Sequence, residues 1–165
     1  MPKILIAGAG GAPSEGVINS LLRGRGSNTV IGMGSEPTDL ALSAASKKFF
    51  VPYADEPHYR ERLLQVLNSE KPDLVHFQND LEIFHVSLLR NDITATGTKI
   101  FMPDHEVIDT CVHKYKSYLA FRAAGVPVPE NILINNDKDL CEAFDRLGDE
   151  NGKIWLRASS IGGGG

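Results

Sequence analysis

The sequence lacks the features that would place a chain in a special structural class. Its two cysteines, Cys111 and Cys141, stand far apart with no CxxC pair. A disulfide framework is therefore excluded, and two such thiols ordinarily serve as packing residues. No apolar run approaches the ~18 residues of a membrane span, so no membrane partner is expected and the cytoplasm is the expected location. His58, His76, His85, His105 and His113 show no HxH, HxxxH or HExxH spacing, and no metal site is indicated. No GxSxG nucleophile elbow occurs. Positive charge is also short: 17 Lys and Arg against 21 Asp and Glu leave a net charge of −4, with the cations scattered. That distribution excludes the basic footprint of a nucleic-acid binder.

What is present is ordinary globular material. Hydrophobic residues at 42% and charged residues at 23% can build a packed core, and 165 residues suffice for one domain or one domain plus a piece of another. Continuous apolar runs over Lys3–Gly8, Thr29–Met33, Lys48–Val51, Asp73–Phe77 and Lys99–Phe101 suit parallel strands covered on both faces. Helix-period segments lie between them. The clearest runs from about Pro57 to Ser69, where Tyr59, Leu63, Val66 and Leu67 form one stripe. This alternation predicts an α/β fold, a Rossmann-like doubly wound parallel sheet of five strands over residues 1–103.

After Phe101 the pattern changes. Residues 104–127 read as connecting helices and a linker, with a break near Cys111, a stop at Gly125 and an extended Val126-Pro127-Val128-Pro129. Residues 128–165 offer two predicted strands, Ile132–Ile134 and Lys153–Arg157, and one helix, Asp137–Leu147, capped by Asn136 or Asp137. That is too little to close a second core, so an incomplete α+β subdomain is expected there.

Four stretches carry the chemistry. "GAGGAPSEG" follows the first strand and opens a helix, where backbone amides can meet an anion. Gly10, Gly11, Ser14 and Glu15 are its candidate substrate contacts. Gly8 and Gly10 match two glycines of a dinucleotide fingerprint, but Pro13 takes the third place, and Glu36 lies further on than the usual acid. A tight turn needing positive φ accounts for the same glycines. "HFQNDLEIF" ends the fourth strand, placing Gln78, Asn79, Asp80 and Glu82 where open α/β sheets hold polar ligands. Capping of the next helix by Asn79 or Asp80 is a second, compatible role. "HKYKSYLAFRAAGVPVP" sets Lys114 and Lys116 at a helix start. "IWLRASSIGGGG" pairs Arg157 with glycine amides able to cradle phosphate.

In their order and spacing, which cover nearly the whole chain, these stretches resemble the ATP-grasp superfamily, and more closely proteins similar to the large subunit of carbamoyl-phosphate synthase. The resemblance implies a pre-ATP-grasp domain followed by the start of an ATP-grasp lid. It implies that Lys114 and Arg157 contact ATP phosphates, and that Gly162, Gly163, Gly164 and Gly165 begin the loop that closes over them. His113 stands where that family usually has Asp, which leaves Lys114 and Lys116 both open as the contact. The implied parent is an ATP-dependent ligase that uses ATP and magnesium to activate a small-molecule carboxylate as an acylphosphate for attack by an amine. The magnesium ligands would lie outside this sequence, so an amino-terminal fragment, inactive alone, is expected. No catalytic residue is assigned, and a homodimer is compatible with the reading. The alternatives are an NAD(P)-binding Rossmann reductase or epimerase, and a non-catalytic binding module.

Overall fold

The computed structural model describes residues 1–24 and 26–159. The chain divides into two compact units, Met1–His105 and Glu106–Gly165.

The first unit is built on five strands: β1 (Lys3–Ala7), β2 (Thr29–Gly34), β3 (Lys47–Phe50), β4 (Leu74–His76) and β5 (Lys99–Ile100). All pair in parallel, in the order β3-β2-β1-β4-β5. The helices are α1 (Ala12–Arg23), α2 (Pro37–Leu42), α3 (Tyr59–Glu70), α4 (Asp80–Leu88) and α5 (Arg90–Ala95). Side chains alternate between sheet faces, which explains why β1 is apolar without interruption. Leu5 and Ala7 join one core with Ile31, Met33 and Val75 beneath α3, while Ile6 joins a second with Val30, Ile18 and Leu40 beneath α1 and α2. Both faces are therefore covered, as a doubly wound sheet requires. The order reverses at β1, between β2 and β4, and this is the switch point at whose carboxyl edge such folds hold ligands.

The stripe expected on α3 is the one observed: Tyr59, Leu63, Val66 and Leu67 are all buried. The helix starts at Tyr59 and not at Pro57, because His58 sits at φ −91°, ψ 0° outside the helical region.

In the second unit, α6 (His105–Val112) and α7 (Lys114–Ala123) break at His113, two residues beyond the expected place. Gly125 follows α7 at φ +74°, a conformation that suits a glycine stop. α8 (Asp137–Leu147) has the expected cap, with the Asn136 side chain accepting from Asp139 N. The two strands predicted at Ile132–Ile134 and Lys153–Arg157 are not formed: among the described residues both stretches are extended without ladder partners. A strand exists only with a neighbour to pair its peptide groups, and neither finds one.

Candidate functional site

The second unit gathers the two expected cations. At the α6–α7 corner the Ser117 hydroxyl donates to Thr110 O at 2.7 Å, and His113 Nδ1 lies 2.8 Å from Asp109 O. These side chains satisfy carbonyls that the end of α6 leaves without helical partners. The Lys114 amide, first in α7, donates to Ser159 O at 2.8 Å and so ties the helix start to the segment carrying Arg157.

Lys114 and Arg157 line one cavity of about 640 Å³, with Tyr118, Phe121, Ile132 and Trp155 among its walls. Both also line an adjoining space of about 320 Å³ with Tyr115. Lys116 lines neither; its ammonium lies 2.6 Å from Asp109 Oδ2. Successive α-helical residues turn by about 100°, so residues two apart project in nearly opposite directions. The arrangement is a pair of cations beside aliphatic and aromatic surface, suited to an anion carrying a planar apolar group. Gly162, Gly163, Gly164 and Gly165 lie outside the described residues.

The candidate residues of the first glycine loop are used internally. Gly8 and Gly10 have φ of +65° and +95°. A Cβ on Gly10 would stand 1.9 Å from the backbone oxygen of Asp39, so α2 presses directly on the loop. Gly11 precedes α1 and donates its amide to Gly8 O at 3.0 Å. The buried Ser14 hydroxyl donates to Ala7 O at 2.8 Å. The Glu15 carboxylate accepts from Gly10 N at 2.9 Å, Ser43 Oγ at 2.5 Å and Ala44 N at 3.0 Å. Burial opposes its ionisation, but these bonds outweigh that cost and hold the carboxyl below its ordinary range. Glu36, the acid expected near the end of β2, is exposed, and its side chain makes no cap to α2.

At the carboxyl end of β4, Asn79 caps α4 by accepting from Leu81 N at 2.9 Å and Glu82 N at 3.3 Å. Asp80 is exposed, and Gln78 lies 2.9 Å from His76 between ring and amide nitrogens. Glu82 turns inward, where Tyr59 donates its hydroxyl at 2.6 Å. Burial pushes Glu82 up to about 7 despite that donor, and burial together with the Glu82 carboxylate pushes the Tyr59 phenol far upward. Sequence reading missed Tyr59 as a polar partner because its spacing marks only a core position. It likewise missed Trp155 as a cavity wall, since a strand-like run gives no sign of what its side chains face. Among the described residues no group of three His, Cys, Asp or Glu could hold a metal, and no helix is long and apolar enough to cross a membrane.

No family model matches the chain. The carbamoyl phosphate synthase large chain of Methanosarcina barkeri is 28% identical over 149 residues, covering 87% of this chain and 13% of that relative. The chain is similar to the large chain of carbamoyl phosphate synthase. Among solved structures, N5-carboxyaminoimidazole ribonucleotide synthetase from Thermotoga maritima matches with a TM-score of 0.61 at 21% identity, covering 87% of this chain and 36% of that one. The biotin carboxylase domain of a single-chain bacterial carboxylase matches at 0.59 and 16%, covering 89% and 34%. At such identities the structural likeness establishes the fold, and it agrees with the ATP-grasp resemblance carried by the motifs. This carbamoyl phosphate synthase-like chain thus spans well under half the length of each protein it matches.

Proposed function

We propose that this chain is the amino-terminal part of an ATP-dependent, ATP-grasp ligase of the cytoplasm, and that the Lys114–Arg157 cavity holds the phosphates of ATP. The observation that carries the reading is the meeting of these two cations at one cavity beside Trp155 and Ile132. They come from distant parts of the sequence, both match the motif pattern, and Lys116 is engaged by Asp109 on another side of α7. Residues 1–103 would act as the pre-ATP-grasp domain, 104–127 as the connection, and 128–165 as the start of the lid.

ATP, when bound with magnesium, supplies the phosphoryl group that turns a carboxylate into an acylphosphate open to attack by an amine. The residues of this chain fit the nucleotide part of that task. The guanidinium and ammonium neutralise phosphate charge, and the apolar walls exclude water, which strengthens both contacts. The described residues offer no magnesium cluster, so no step is assigned to the metal. A chain without such ligands is expected to be inactive alone. Gly10, Gly11, Asn79 and Asp80 remain the proposed substrate-side contacts, at the carboxyl edge of the sheet. The NAD(P) alternative finds less support, because Glu15 already takes the Gly10 amide and Asp39 fills the space above Gly10.

Trp155 is the chain's single tryptophan and is 83% exposed at the cavity, so its fluorescence reports on the site. Titrating ATP should quench it. Lys114→Ala and Arg157→Ala should each weaken binding by about ten- to a hundredfold, the equivalent of about 1.5–3 kcal/mol for a charge-assisted contact. Lys116→Ala should be near wild type. If Lys116→Ala is the crippling change, the assignment of Lys114 is wrong. If all three variants bind ATP normally, or if NADH binds at micromolar concentration while ATP has no effect, the ligase reading fails.

A further inference from the structure

Strand β3 forms one edge of the first unit's sheet and pairs only with β2. The free side of such a strand presents unpaired peptide groups. Apolar surface surrounds it: Phe50 is 50% exposed, and Leu42, at the end of α2, is 81% exposed. Phe50 is also the shared wall of two grooves. One, of about 380 Å³, runs between Pro37, Leu40, Ala41 and Lys48. The other, of about 460 Å³, runs between Pro52, His58, Glu61, Arg62 and Gln65.

An unpaired strand with a groove on each side has the layout that strand addition uses, because the side chains of an added strand alternate between faces. The chemistry of the two grooves differs. The first is apolar with a single ammonium at Lys48, whereas the second is polar and carries the Arg62 guanidinium. We propose that the β3 edge docks an extended segment of a partner polypeptide in which apolar side chains alternate with carboxylates. Its apolar side chains enter the Pro37–Leu40–Ala41 groove, and its carboxylates face Arg62.

Two details limit the pairing. Arg62 Nε donates to Phe50 O at 3.0 Å, which closes the last carbonyl of the strand and confines new ladder bonds to the residues before it. Lys47 and Lys48 occupy half of the strand, Lys47 paired with Glu70 and Lys48 donating to Ala41 O at 2.8 Å. Two copies pairing through this edge would crowd four lysines into one short ribbon, which disfavours a second copy and favours an acidic guest.

The test uses a fluorescein-labelled peptide of about eight residues alternating leucine and aspartate, enough for one strand, compared with its leucine–lysine counterpart by anisotropy. The acidic peptide should bind at least about tenfold more tightly. Arg62→Glu should reduce that preference by about tenfold or more, and Phe50→Ser should weaken both peptides. Arg62→Gln, which keeps a donor, should fall between wild type and Arg62→Glu. Equal affinity for the two peptides, no binding of the acidic one at about 1 mM, or unchanged affinity in both Arg62→Glu and Phe50→Ser overturns the proposal. So does sedimentation showing that the unliganded chain dimerises and that Phe50→Ser abolishes the dimer, since a second copy would then be the occupant.

Discussion

Replacing Glu82 by glutamine should invert the usual effect of losing a buried hydrogen-bonded acid. Glu82 is only 9% exposed and lies against the Tyr59 hydroxyl. Burial raises it from the ordinary 4.5 to about 7. The folded chain thus binds this proton more tightly than the unfolded chain does. Its contribution to stability is fully present below the unfolded value of 4.5 and is lost as pH rises through about 7. The difference between the two values corresponds to about 3 kcal/mol. In Glu82→Gln the amide oxygen still accepts from Tyr59 and the group no longer titrates. Its NH₂ introduces a donor that costs about 1–3 kcal/mol if left unpaired, but that cost is the same at every pH. The decisive quantity is therefore the stability of the variant minus that of wild type, from urea melts followed by circular dichroism. It should rise by about 3 kcal/mol between pH 4.5 and pH 8. Parallel stability curves for the two proteins would refute the argument.

Glu15 should show the opposite slope. Its carboxyl is held below the ordinary range, so its contribution is present at neutral pH and lost as pH falls through the folded value. Glu15→Gln should cost about 1–3 kcal/mol at pH 7, with the gap to wild type closing in acid; a gap that widens there would contradict the reading. Amide exchange should be much faster at Ile154–Leu156, which have no ladder partners, than at Ile4–Ile6 within the sheet. Equal protection of the two in a proven monomer would show that the second unit has a core of its own.

The strands of the first unit were legible because a strand covered on both faces leaves a continuous apolar run, as Lys3–Gly8 and Asp73–Phe77 do. α3 and the Asn136 cap were legible because their signals are local. What escaped was everything made by bringing distant positions together. Glu15 meets Ser43 and Ala44, Tyr59 meets Glu82, and Asp109 engages Lys116 across a helix corner. No spacing rule encodes such pairs. The two missing strands show the same limit in reverse: Ile132–Ile134 and Lys153–Arg157 have strand composition, but composition cannot supply a neighbour to pair with. For the candidate site, the residue types at Lys114 and Arg157 were readable, and their shared cavity was not.

The contact between Gly10 and Asp39 bears on ancestry. A side chain of even one carbon at residue 10 would occupy the space of a peptide oxygen, whereas Gly16 has nothing within 4 Å of the corresponding point. Two glycines in one short motif are thus under unequal constraint. In descendants that keep this packing, residue 10 should stay fixed while residue 16 drifts. A distant homologue carrying alanine at position 10 would have had to move α2 off the loop, and would be better classed as a separate lineage of the fold than as a near relative.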